Sequence, residues 1–117
     1  MHFEEHQQMG VLIVKPLEQR LDAAVVQEFK QHFAGRVQEG HRLIAIDLEA
    51  VEFIDSSGLG GIISVLKAVG EAGNVAVFGV DAQVATLFRL TRMDRIFPIL
   101  VSAAEALKAL TGKPPAT

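Results

Sequence analysis

Between Leu43 and Leu48 the chain reads LIAIDL, apolar at nearly every position. A strand with one wet face alternates apolar with polar, so an unbroken apolar run implies a strand covered on both faces. Such a strand needs layers above and below it, and the neighbouring segments have the spacing to supply them. Apolar residues recur at Val26, Phe29, Phe33 and Val37 before the run, and at Leu59, Ile62, Ile63, Leu66 and Val69 after it, three and four positions apart as one face of a helix requires.

The same alternation continues along the chain. Val11 to Val14 is a short β-branched run closed by Lys15-Pro16, with Phe3 to Gln8 as a segment that can pair with it. Asn74 to Phe78 is a second buried strand between glycines. Asp81 opens a helix carrying Val84, Leu87 and Phe88. Ile96 to Val101 reads as extended, and Ser102 with Glu105 forms a capping-box pattern before Ala106, Leu107 and Leu110. Asp22 reads as the N-cap of the first helix. Strands alternating with helices make this a small α/β domain built from βαβ units. At 117 residues it is one domain, with residues 1–110 as the folded unit and residues 111–117, TGKPPAT, as a flexible C-terminal tail.

Composition narrows the function. There is no cysteine, which excludes disulfides and thiolate metal sites and permits a reducing compartment, so a cytoplasmic location is expected. No run approaches the roughly 20 apolar residues that cross a bilayer, and no membrane partner is expected. The formal charge is −3 and the basic residues are scattered, so no direct nucleic-acid partner is expected either. His2 and His6, on one face of a strand, stand about 13 Å apart by strand rise, too far to share an ion, so no metal or other cofactor is expected. Arg89, Arg92 and Arg95 form a basic cluster that reads first as solvated surface and second as a partner contact.

The unusual stretch is residues 54–61, IDSSGLGG, which leaves a strand and enters a helix. Orphan N–H groups and the positive end of the helix dipole meet there, so Asp55, Ser56 or Ser57 can serve as a plain helix cap. A phosphate-cradling loop is disfavoured because no lysine follows the glycines until Lys67, and a nucleophile elbow lacks glycines two positions either side of a serine. A third reading makes a hydroxyl of the turn a kinase substrate, since a helix start tolerates the added negative charge.

Leu21-Asp22 ahead of the first helix, Phe53-Ile54-Asp55-Ser56-Ser57-Gly58-Leu59-Gly60 after the apolar strand, and Val84-x-x-Leu87-Phe88 together resemble the STAS-domain anti-sigma factor antagonists of bacteria. The resemblance implies a mixed sheet of four to five strands with about four helices. It also implies a non-enzymatic regulator whose unphosphorylated form binds an anti-sigma factor serine kinase and releases a sigma factor, with a PP2C-type serine phosphatase reversing the modification. Carried over residue by residue, Ser56 is the phosphoacceptor, and Asp22, Asp55, Ser57, Gly58, Leu59 and Gly60 are its partner-facing surroundings. Two positions depart from the pattern: Gln19 stands where a glycine is usual, and Thr91-Arg92-Met93 replaces Thr-Gly-Leu. The alternatives are the same phospho-switch wired to motility, biofilm or secretion, and a nucleotide-binding protein.

Overall fold

The computed structural model describes residues 1–115. Its main sheet has five strands: β1 (Phe3–Gln8), β2 (Val11–Pro16), β4 (Leu43–Asp47), β6 (Asn74–Phe78) and β7 (Ile99–Leu100), side by side in the order β1-β2-β4-β6-β7. A separate two-stranded ribbon is made by β3 (Arg20–Leu21) and β5 (Phe53–Ile54). The helices are α1 (Val26–Gln38), α2 (Ser56–Val69), α3 (Ala82–Leu90) and α4 (Ala103–Thr111). The hairpin β1–β2 is antiparallel and every later pairing is parallel, because each of those strands is reached through a helical crossover.

The period-two geometry of β2 divides its apolar run between two cores. Leu12 and Val14 join Phe29, Phe33, Ile44, Ile46, Ile62, Val65 and Phe88 under α1, α2 and α3, whereas Val11 and Ile13 join Ala45, Ala76, Phe78, Ala106 and Leu107 under α4. This is why LIAIDL carries no polar alternation. Phe29, Phe33 and Phe88 have no measurable exposure or nearly none, and truncating any of them to Ala costs about 3–5 kcal/mol. Phe29 and Phe33 pack with ring centroids 4.7 Å apart, and Phe88 meets Phe97 edge-on at 6.0 Å.

Three local expectations are corrected. Asp22 does not cap α1: the residue before the helix is Val25, with no side-chain cap, and Asp22 instead organises the turn leading in, its Oδ1 accepting from Ala24 N at 3.1 Å and its carbonyl from Val26 N at 2.9 Å. Of the expected extended piece Ile96 to Val101, only Ile99 and Leu100 pair with β6. The preceding 3₁₀ turn, Met93–Arg95, carries on to draw Phe97 inward, with Phe97 N donating to Met93 O at 3.3 Å. The third concerns the octet, which does not leave the central strand directly. The chain passes from β4 through residues 48–52 into β5, so the octet belongs to the small ribbon.

Helix α4 runs through Thr111, the first residue of the expected tail, and closes at Gly112 with φ +77°; residues 116 and 117 of that tail lie outside the described residues. Among the described residues no helix is long and apolar enough to cross a membrane.

Candidate functional site

The ribbon and α2 build the site together. The carbonyl of Gln19 accepts from Glu52 N at 2.8 Å and Phe53 N at 3.1 Å, and Leu21 O accepts from Asp55 N at 3.3 Å, which lays β5 along β3. Gln19 needs none of glycine's freedom, since Met9 and Arg92 are the non-glycine residues with positive φ among the described residues. Arg20 pairs with Phe53 and Leu21 with Ile54, so the two carboxylates that follow, Asp22 and Asp55, leave the ribbon from adjacent strands.

Asp55, in extended conformation, is the N-cap of α2: its Oδ1 accepts from Gly58 N at 2.9 Å. Its other oxygen, Oδ2, accepts from Ala23 N at 3.3 Å, so one carboxylate ties the helix start to the turn after β3. Of the three side chains able to cap, the aspartate does so, which leaves both serine hydroxyls without a hydrogen-bond partner among the described residues. Ser56, the first helical residue, is exposed, whereas Ser57 is half-buried. Leu59 and Gly58 are buried, the latter because α2 presses there against β3: a Cβ on Gly58 would collide with the carbonyl oxygen of Leu21 and stand 2.8 Å from Ile54 Cγ2. Gly60 is exposed, and a Cβ there would meet nothing within 4 Å.

Around this turn lie two surface features that motif reading did not reach. On one side Glu52, Phe53, Ile54, Gln83, Val84 and Leu87 line a shallow apolar groove between β5 and α3, with Phe53 42 % exposed. On the other, Glu18, Arg20 and Asp22 lie on the rim of an open depression in the β2–α1 loop. Arg20 joins them, its Cζ 4.1 Å from the Phe53 ring centroid and its Nε donating to Asp22 Oδ2 at 3.3 Å. Neither residue is picked out by local pattern; only the β3–β5 register brings them together.

The remaining sequence features fall elsewhere. Arg89, Arg92 and Arg95 ring a separate depression at the end of α3 with Leu90 and Asp94, and Arg92 takes a left-handed φ of +62°, the conformation that a glycine at this position adopts freely. His32 stacks on Phe3 with centroids 3.7 Å apart, its Nε2 3.1 Å from Glu5 Oε2. Glu5 is also gripped by Arg36, through Nη2 at 2.7 Å and Nε at 3.0 Å, and hydrogen bonding to that guanidinium holds its carboxyl below the usual range. This pins the edge strand β1 to α1. Among the described residues no group of three or more His, Asp or Glu is close enough to hold a metal ion.

The model of the STAS domain matches residues 2–106. The anti-sigma-B factor antagonist of Staphylococcus aureus is 33% identical over 80 residues, 68% of this chain and 74% of that protein. A Thermotoga maritima protein crystallised as a candidate anti-sigma factor antagonist superposes with a TM-score of 0.85 at 28% identity, over 92% of this chain and 93% of the other. The Bacillus cell-fate determinant SpoIIAA in its phosphorylated form shares the fold, with a TM-score of 0.67 at 16% identity over 92% of this chain and 98% of that one.

Proposed function

The chain belongs to the STAS domain family, and on that premise we propose that it is a phosphorylation-switched binding module: unphosphorylated, it engages an anti-sigma factor kinase and so releases a sigma factor. The observation that carries this reading is the exposed Ser56 hydroxyl on a turn made rigid by Asp55. A protein substrate must offer its hydroxyl without unfolding, and Ser56 does so at the start of a 14-residue helix whose dipole favours added negative charge. The occurrence of SpoIIAA in a phosphorylated form supports the same chemistry on this fold.

In the proposed cycle Ser56 Oγ attacks the γ-phosphorus of ATP held by the partner. The Oγ–P bond forms, the bond to ADP breaks and the hydroxyl proton passes to a base of the kinase. A PP2C-type phosphatase hydrolyses the ester. This chain supplies the acceptor and the surface, not the turnover: no base is bonded to either serine among the described residues. The added charge then acts at the interface, where a dianion beside Asp55 must be desolvated on docking.

The test is phosphosite mapping after incubation with the cognate kinase and ATP, followed by calorimetric titration of the variants with the anti-sigma factor. Ser56 is the expected site. Ser56→Ala binds and resists switching, while Ser56→Asp keeps the wild-type melting temperature and binds at least tenfold more weakly, a loss of about 1.4 kcal/mol. Phosphate on Ser57 alone, or a phosphoprotein that binds as tightly as the unmodified chain, overturns the reading.

A further inference from the structure

The proposed modification adds a dianion to a turn that is already acidic. Asp22 and Asp55 flank it, Glu18 lies on the rim of the β2–α1 depression, and Glu52 lines the neighbouring groove. Arg20 is the one basic residue on either lining among the described residues.

Its guanidinium is only partly engaged. The ring of Phe53 covers one face and Asp22 takes Nε, but the two Nη atoms, the fork that grips carboxylates and phosphates bidentately, have no acceptor among the described residues. The side chain is 61% exposed, so its contact with Asp22 is screened by water and readily exchanged. The ribbon's register sets the reach. Arg20 lies opposite Phe53, Ser56 is three residues further along, and Arg20 already leans forward to Asp22. The residue after Asp22 closes the circuit: Ala23 N donates to Oδ2 of Asp55 at 3.3 Å, so the carboxylate that Arg20 holds and the residue preceding Ser56 meet at one turn.

Resting on the reading of Ser56 as the phosphoacceptor, we propose that Arg20 is the partner of that phosphate within the chain: its free Nη fork takes the phosphate oxygens, releasing Asp22 and the face of Phe53. Modification then alters more than charge. It leaves the Asp22 carboxylate without its cation and opens the Phe53 ring at the mouth of the apolar groove, so a partner fitted to the unmodified turn meets two changed contacts.

The test places phosphoserine at position 56 of the full chain during translation, so that no kinase is needed, and follows the phosphate by ³¹P NMR titration at low salt. Asp22, Asp55, Glu18 and Glu52 oppose the second ionisation in every variant, whereas Arg20 favours it. Arg20→Gln is therefore expected to raise the phosphate's second pKa by about half a unit or more, and Arg20→Lys, charged but without a fork, to restore part of the difference. The Arg20 Nε–H resonance is expected to shift between the unmodified and modified wild type, and melts of all variants verify folding. Equal pKa values in wild type and Arg20→Gln, with an unmoved Arg20 resonance, overturn the proposal even where a kinase modifies Ser56. A kinase that leaves Ser56 untouched overturns the functional reading instead, and the titration still decides the role of Arg20.

Discussion

Substituting Gly58 by Ala probes the contact that fixes the candidate site in space. The new Cβ would overlap the Leu21 carbonyl oxygen, lie 3.0 Å from the Leu21 carbonyl carbon and stand 2.8 Å from Ile54 Cγ2. Two of these three atoms are backbone of β3, which is hydrogen-bonded to β5 and cannot yield as a flexible side chain would. Overpacking of this kind costs about 1–3 kcal/mol, and a backbone obstacle places Gly58 at the upper end. Replacing glycine by alanine in a helix returns up to about 1 kcal/mol, leaving a net loss of about 2 kcal/mol. For a domain of this length that corresponds to a melting temperature about 8 °C lower. Gly60→Ala is the matched control, because its Cβ meets nothing within 4 Å and its backbone is ordinary helix; it is expected to gain about 0.5–1 kcal/mol. Thermal melts by far-UV circular dichroism, supported by urea midpoints, separate the two. If both alanine variants melt together, or Gly58→Ala melts with the wild type, the start of α2 is not pinned against β3 as described.

Two further outcomes follow from the hydrogen bonds. Asp55→Ala removes both the α2 cap and the tie to Ala23 and is expected to cost about 1–2 kcal/mol in urea denaturation, with Asp55→Asn, which keeps an acceptor, losing less; a wild-type midpoint for Asp55→Ala would refute the dual role. Glu5 has a carboxyl held below its ordinary value of 4.5 by Arg36, so the folded state keeps it charged where the unfolded chain begins to protonate. That stabilisation is complete above about pH 4.5 and fades as pH falls through the lowered value, and melts across the acid range should show a shallower decline for Glu5→Gln than for wild type.

Much of the architecture is determined by local pattern. The unbroken apolar character of Leu43 to Ile46, the helical spacing of Phe29 and Phe33, and the capping residues Asp81 and Ser102 report burial and backbone satisfaction, which neighbouring residues settle among themselves. The octet was likewise legible as a helix start, and its resemblance to the STAS family marked Ser56. What pattern left open was which of Asp55, Ser56 and Ser57 caps α2, and it misassigned Asp22 as the cap of α1. Those outcomes depend on a ribbon of two residues against two, too short to show any periodicity and held by backbone bonds from Gln19 to Glu52 and Phe53 across more than 30 positions of chain. Once that ribbon forms, Asp55 reaches Ala23 as well as Gly58, the capping task falls to it, and the hydroxyl of Ser56 is left in water. The pairing of Arg20 with Phe53 and the closeness that only glycine permits at position 58 have the same origin. A local pattern records which residues are buried; contacts between distant backbones decide what stands beside them.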